Sequence, residues 1–261
     1  MKIAIGQFYP TDSVIHRLDA RVKLFGTVMY IAALLIVDGF AGYLLAAAYI
    51  AGLVWLSKVP PGLLFRGLRT ILFILIFAAG INLFLTPGET VLLQAGFVRI
   101  TEEGAIFAAQ MIFRLVLLVM GSAILTLTTS PMELTDGIEA LLSPLKRVGV
   151  PAHDIAMMMT IALRFIPTLA EETEKIIKAQ KARGADFETG GPAKRARSLI
   201  PILVPLFVSA FKRADELATA MEARCYRGDI NRTKMKESKI TRRDILATAF
   251  IAIFFAGMTF F

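Results

Sequence analysis

The chain has one cysteine (Cys225), two histidines (His16 and His153) and one tryptophan in 261 residues. A lone cysteine excludes an internal disulfide framework and any cysteine-ligated metal cluster, and two histidines leave little for a zinc site. There is no G-x-x-x-x-G-K-[ST] run and no glycine-rich strand-to-helix turn, so the chain is not expected to bind nucleotide itself. Ahead of residue 24 stand Lys2, Arg17, Arg21 and Lys23 but no apolar core of the signal-peptide kind, and no cleavable leader is expected. What the chain has in excess is apolar residues: 56% are hydrophobic and the mean hydropathy is +0.65, far above a soluble domain. It reads as a membrane protein. The 19% charged residues and the net charge of +8 nonetheless place a sizeable part in water or at an anionic lipid surface.

Residues 24–56 hold 33 positions with a single charge, Asp38. One helix of that length would reach roughly 50 Å, beyond a hydrocarbon core of ~30 Å, so a fold-back near Asp38-Gly39 is expected. This gives spans over Leu24–Val37 and Phe40–Leu56, and further apolar runs cover Ile71–Leu85, Ala105–Leu127 (interrupted by Gln110 and Arg114) and Ile245–Phe261. Five transmembrane helices result. The 57–70 loop carries Lys58, Arg66 and Arg69 without an acid, whereas the 86–103 loop sets Glu89, Glu102 and Glu103 against Arg99. The positive-inside rule then makes the N-terminus and the first loop cytoplasmic and the second external. Segment 128–244, with 20 of the 29 basic and 15 of the 21 acidic residues, falls inside. Its apolar runs Ile155–Ala170 and Leu199–Phe211 are short, and the first contains Arg164. Crossing by both would put the seven Lys/Arg of 171–198 outside, so a seven-span topology is rejected.

From Pro151 the sequence reads as one long helix, with Pro167 its only internal breaker and Gly184 placed to stop it before a turn at 188–192. Its stripe alternates by four and three: Ile155, Met159, Ala162, Ile166, Leu169, Thr173, Ile176, Gln180, Arg183. A second helix follows, expected to be kinked early by Pro201 and Pro205, with the stripe Leu203, Phe207, Ala210, Ala214, Leu217, Met221, Arg224. Both apolar stripes, expected to be buried, end on arginine. The ends share Ala-x-x-Ala-Arg, 41 residues apart: Ala179 to Arg183 and Ala220 to Arg224. As ordinary C-terminal cations the arginines would contribute only ~0.3–1 kcal/mol each to the helix dipole. Alternatively, they are matched pegs that a single chain presents to a partner with two equivalent sockets, each arginine reaching a carboxylate in a groove. The helices are roughly 45–50 Å long, and if they run antiparallel or cross, the pegs lie tens of ångströms apart. A pair of nucleotide-binding subunits suits that spacing.

At this point the sequence resembles the transmembrane T component (EcfT) family of energy-coupling factor transporters, ATP-driven vitamin and metal importers of prokaryotes. The likeness covers nearly the whole chain. Gly6-Gln7-Phe8-Tyr9-Pro10 followed by Ser13 to Lys23 resembles the family's opening, where proline is more usual than Ala20. The two Ala-Arg-Gly signatures of the coupling helices correspond to Ala182-Arg183-Gly184 and Ala223-Arg224-Cys225, with Cys225 replacing the usual glycine. The resemblance implies an all-α membrane protein with about five transmembrane helices and long cytoplasmic amphipathic coupling helices. Its organisation would be a four-span membrane domain (1–127), a coupling-helix domain (128–244) and a C-terminal transmembrane helix (245–261). A shorter coupling helix near Pro131–Val148 is also implied, and Ser130-Pro131-Met132-Glu133 permits it as a capped start. The implied partners are two ATPase subunits, a substrate-binding S component and the lipid bilayer, with no nucleic acid. ATP and magnesium would be bound by the ATPases, and the chain itself would be a non-catalytic subunit for micronutrient (vitamin) uptake, multi-pass in the prokaryotic plasma membrane.

On this reading Arg183 and Arg224 seat in acidic grooves of the ATPases, while Met157, Met158, Met159, Ile161 and Phe165 form a sliding floor for the S component. The plainer alternative packs these methionines against the chain's own spans. Arg114 has two readings, snorkelling to the outer interface or pairing with Asp38, Glu102 or Glu103. Ala48-x-x-x-Gly52 is a candidate for close helix packing, and His16 and His153 read as interfacial polar residues. A conventional ABC importer permease would offer one docking site per chain, and the doubled arginine disfavours it. An intramembrane enzyme would need a polar constellation that Asp38, Gln110 and Arg114 do not supply, and a secondary transporter would show repeated spans.

Overall fold

The structure, a computed structural model, describes residues 8–37, 39–86, 90–95, 98–187, 191–228 and 240–258. Its helices are α1 (Ala20–Ile36), α2 (Phe40–Ser57), α3 (Pro61–Leu85), α4 (Glu102–Thr128), α5 (Pro131–Leu142, continued by a 3-10 turn over Ser143–Val148), α6 (Ala152–Ala182), α7 (Pro192–Ser198), α8 (Ile200–Ala223) and α9 (Arg242–Met258). The protein is an all-α membrane protein, with one short addition between α3 and α4. There β1 (Val91–Ala95) pairs antiparallel with β2 (Val98–Thr101), Leu93 opposite Ile100 and Gln94 opposite Arg99. The chain forms two compact units, residues 139–236 in one and residues 6–138 with 237–261 in the other.

The five apolar helices of the second unit lie where the five apolar runs stand. α2 and α4 are long and apolar enough to cross a bilayer, and α3 qualifies when its segments Pro61–Arg69 and Ile71–Phe84, bent by 56°, count as one span. α1 and α9 are 17 residues each. The fold-back between α1 and α2 falls at Val37–Gly39, although Asp38 itself lies outside the described residues. Segment 57–70 is not the loop expected: Pro61 takes the first helical position of α3, so Arg66 and Arg69 ride on a helix.

The core of this unit centres on Tyr30 of α1. Its hydroxyl donates to the Leu117 carbonyl at 2.9 Å, and its ring stacks on Tyr49 and tilts against Phe255. The close approach of α1 and α4 depends on Gly121, where a Cβ would lie 2.4 Å from Tyr30 Cε1. Gly26 plays the same part toward α9, where a Cβ would lie 2.9 Å from Ile251 Cδ1. The expected Ala48/Gly52 packing face is not one: nothing lies within 4 Å of a Cβ at Gly52, and Ala48 is exposed. Arg114 Nε donates to the Tyr43 hydroxyl at 3.0 Å and its Nη2 to the Val37 carbonyl at 3.0 Å, with its guanidinium over the Tyr43 ring. These bonds tie α4 to the C-terminal end of α1. The pairing with Asp38 lies outside the described residues.

The chain before α1 is fastened by buried polar groups. Lys23, only 8% exposed, donates to the carbonyls of His16 at 3.1 Å and Thr128 at 2.9 Å. His16 Nε2 lies 3.0 Å from the Tyr9 carbonyl, which can only accept, so Nε2 donates, and in the neutral ring Nδ1 accepts from the Ser13 hydroxyl at 2.7 Å. That tautomer is neutral, in keeping with burial, which pushes the His16 pKa down. Asp244 caps α9 through Thr241 and also accepts the Asp19 N–H at 2.9 Å, while Asp19 caps α1. The ends of α1 and α9 are thereby joined.

Thermal unfolding of the full chain in detergent tests the packing. Gly121→Ala overpacks against Tyr30 and should cost about 1–3 kcal/mol. Gly52→Ala meets open space and should be neutral or stabilise by up to ~1 kcal/mol.

Candidate functional site

The start of the α5 region has the cap its sequence suggested: the Glu133 N–H donates to Ser130 Oγ at 3.3 Å and the Ser130 N–H to Glu133 Oε2 at 3.2 Å. The 3-10 turn closes on Gly149 at φ +91°, after Lys146 and Arg147. His153 near the start of α6 sits 3.1 Å from the Glu139 carboxylate, so it joins α6 to α5.

α6 runs unbroken for 31 residues through Pro167. α8 begins at Ile200, at the start of its apolar run and separate from α7, so Pro201 is a first-turn residue and not a kink, and only Pro205 is internal. Pro205 has no N–H, which leaves the Pro201 carbonyl four residues earlier without its helical donor. Gln180 Nε2 of α6 takes that role, donating to Pro201 O at 3.3 Å. Roughly two to three turns further along α8, Glu172 accepts from the Ser209 hydroxyl and from Arg213 Nη2, the latter at 3.2 Å. Gln180 meets residue 201 and Glu172 meets 209 and 213, so one helix retreats as the other advances. The pair is antiparallel.

Both long helices end in the same way. Arg183 (φ −86°, ψ 8°) caps α6, Gly184 follows at φ +83°, and the N–H groups of Gly184 and Ala185 return to the carbonyls of Lys181 and Gln180 at 3.0 Å each. Arg224 (φ −92°, ψ 12°) caps α8, Cys225 follows at φ +57°, and the N–H groups of Cys225 and Tyr226 return to Glu222 at 2.8 Å and Met221 at 3.0 Å. These are two Schellman closures. Cys225 therefore adopts the left-handed conformation that Gly184 takes at the other helix end, at a cost of ~1–2 kcal/mol. Ala182, Arg183, Gly184, Ala223, Arg224 and Cys225 are all exposed, so the arginines are not members of a buried stripe: each stripe runs out of partner helix before its last residue. From Pro201, beside Gln180, to Arg224 is a helix length of roughly 35 Å, so the two tips stand at opposite ends of the pair.

The five residues expected to form one floor divide. Ile161 and Phe165 line a groove of about 350 Å³ between α6 and α8, shared with Leu169, Ala214, Leu217 and Met221. Met158 is 59% exposed on the outside of α6, with Met157 and Met159 half-buried beside it. The α8 stripe divides too: Ala210, Ala214, Leu217 and Met221 face the groove, whereas Leu203 and Phe207 are exposed together with Val204, Val208 and Phe211. The reading by stripes missed this outer apolar face, which was legible in a run from Ile200 to Phe211 with no charge on any side. It also missed the Glu172 clasp, for which no local pattern exists.

Among the described residues no group of three His, Cys, Asp or Glu side chains could hold a metal ion. A family model described as CbiQ, cobalt transport protein, matches residues 11–235. The chain is 52% identical over 255 residues to the energy-coupling factor transporter transmembrane protein EcfT of Thermosediminibacter oceani, covering 97% of this chain and 96% of that protein. It is 53% identical to the EcfT protein of Clostridium kluyveri (94% and 92% covered) and 47% identical to that of Acidaminococcus fermentans (99% and 96% covered).

Two measurements check the site's geometry. Cys225→Gly should stabilise the α8 end by about 1 kcal/mol and Gly184→Ala should cost about as much at the α6 end, read as amide-exchange protection of the closing N–H groups. The Ser209 hydroxyl, with help from Arg213 and against the opposing effect of burial, holds the Glu172 carboxyl below its ordinary value of 4.5. The clasp is therefore complete at neutral pH and is lost as pH falls below about 4.5 through the folded value. The α6–α8 distance between spin labels should widen over that range in the wild type, and Glu172→Gln should remove the transition.

Proposed function

The chain belongs to the energy-coupling factor transporter transmembrane protein family, and from that premise we propose that it couples two ATPase subunits to a substrate-binding S component for uptake of a micronutrient such as a vitamin. In this reading residues 1–127 and 245–261 anchor it in the plasma membrane with the N-terminus in the cytoplasm, and 128–244 is the coupling region. The chain is non-catalytic, and ATP and magnesium reside on the ATPases.

The observation that carries the reading is the pair of matched, exposed arginine caps at opposite ends of an antiparallel helix pair. A C-cap arginine projects beyond the last turn, where a guanidinium can enter an acidic groove and bond a carboxylate in bidentate fashion. Two such pegs held roughly 35 Å apart fit the two halves of an ATPase dimer, one per subunit. When that dimer closes on ATP the pegs must approach each other. α6 and α8 can answer only by sliding or scissoring about the Glu172 clasp, and that is the motion passed to the membrane. The exposed α8 face around Phe207 and Phe211, with Met158 on α6, supports a surface on which an apolar partner such as the S component slides.

Pull-down of the ATPases by the full chain tests the docking. Arg183→Glu or Arg224→Glu alone should weaken assembly by about 2–5 kcal/mol, and the double variant should release both ATPases while its helical circular dichroism is unchanged. Retention of both ATPases by the double variant would contradict the reading.

A further inference from the structure

Two cavities in the membrane unit meet at the end where α1 and α9 begin and α2 ends. One, of about 490 Å³, is lined by Asp12, Arg17, Lys58 and Arg243 together with Trp55 and Leu56. The other, of about 690 Å³, is an apolar groove between α2, α3 and α4, reached by Ala51, Val54, Leu64, Phe65, Leu117 and Met120. Trp55 and Lys58 line both. The first cavity gathers three cations against one carboxylate. Asp12 is bonded by Arg17 at 2.5 Å and also feels the charge of Lys58, so one carboxylate stands against three cations and leaves a net positive charge in the cavity. Lys58 caps α2 in the left-handed conformation (φ 55°), three residues after Trp55.

Charge and polarity thus change in one step along a continuous depression. Its polar part has a surplus of cations at the level where apolar helices emerge, its deeper part is lined by aliphatic side chains, and an 80%-exposed indole marks the boundary. A free phosphate would leave the apolar groove unused, and a neutral acyl chain would leave the cations unanswered. We propose that this double cavity is a binding site for one anionic phospholipid, with its phosphate among Arg17, Lys58 and Arg243 and an acyl chain in the α2–α3–α4 groove. Such a lipid fills the gap between α2 and α3 and clamps the start of α9 to the end of α2. The inference is independent of how the helix tips dock.

Trp55 is the only tryptophan in the chain, so its fluorescence reports this site alone. The full chain in phosphatidylcholine nanodiscs is titrated with phosphatidylglycerol brominated on its acyl chains, and in parallel with phosphatidylcholine brominated likewise. Phosphatidylglycerol should quench Trp55 at a mole fraction where phosphatidylcholine does not, and soluble glycerol 3-phosphate should fail to relieve the quenching. Removing two cations by Lys58→Gln with Arg243→Gln should move the half-quenching point roughly 10- to 30-fold upward. Ala51→Phe, which fills the groove and leaves every charge in place, should weaken the preference for phosphatidylglycerol as well. Equal quenching by the two lipids overturns the proposal, as does an unaltered phosphatidylglycerol titration in either variant. Relief by glycerol 3-phosphate would show a free-phosphate site instead, and protection of Trp55 from both lipids by a copurifying protein would show a protein dock.

Discussion

Pro205 cannot donate a backbone hydrogen bond, and the carbonyl it leaves open on Pro201 is the point at which α8 is fastened to α6 through Gln180. The Glu172 clasp to Ser209 and Arg213 supplies the second fixed point. Two points set the direction and register of the pair, and with them the separation of its tips. A helix carrying an internal proline usually bends at an open carbonyl; here that carbonyl is a docking point for another helix, so the defect in one element becomes the contact that orients two. If the pair were parallel, both arginines would lie side by side and one partner subunit would suffice.

The tips themselves are defined by backbone geometry. Each tip is an arginine at the C-cap followed by a left-handed residue, and the same closure occurs at Gly184 and at Cys225. Sequence comparison alone makes Cys225 look like a departure. The structure shows that the departure is in composition and not in shape, since a residue with a Cβ is held in the conformation that glycine takes without strain. The membrane unit follows a different logic. Its helices meet where side chains are missing, at Gly121 and Gly26, and the polar groups of Lys23, His16 and Asp244 are each held by hydrogen-bond partners.

Much of this was legible in the residues. The five apolar runs, the Ser130 to Glu133 cap, the stop at Gly184 and the doubled arginine ending all follow from local rules of hydropathy, capping and glycine placement, and the structure has each of them in place. What was not legible depends on which face meets which. The α8 stripe reads in sequence as a single face, yet Leu203 and Phe207 are exposed while Ala210 and Met221 line the groove to α6, because an all-round apolar run does not declare its partner. Gly121 rather than Gly52 makes the tight helix contact for a similar reason: small residues permit close approach, but only the register of two helices chooses among them. The short ribbon between α3 and α4 was hidden within a stretch recognised only by its charge.

Cys225 is the sole cysteine and sits one residue beyond Arg224, exposed. A thiol-reactive photo-crosslinker placed there in intact cells, followed by identification of the attached chain, therefore reports directly what the second tip touches. Attachment to an ATPase subunit is expected, with no labelling of Cys225 by a membrane-impermeant thiol reagent added outside. Attachment to lipid or to an unrelated protein, or labelling from outside, would contradict it.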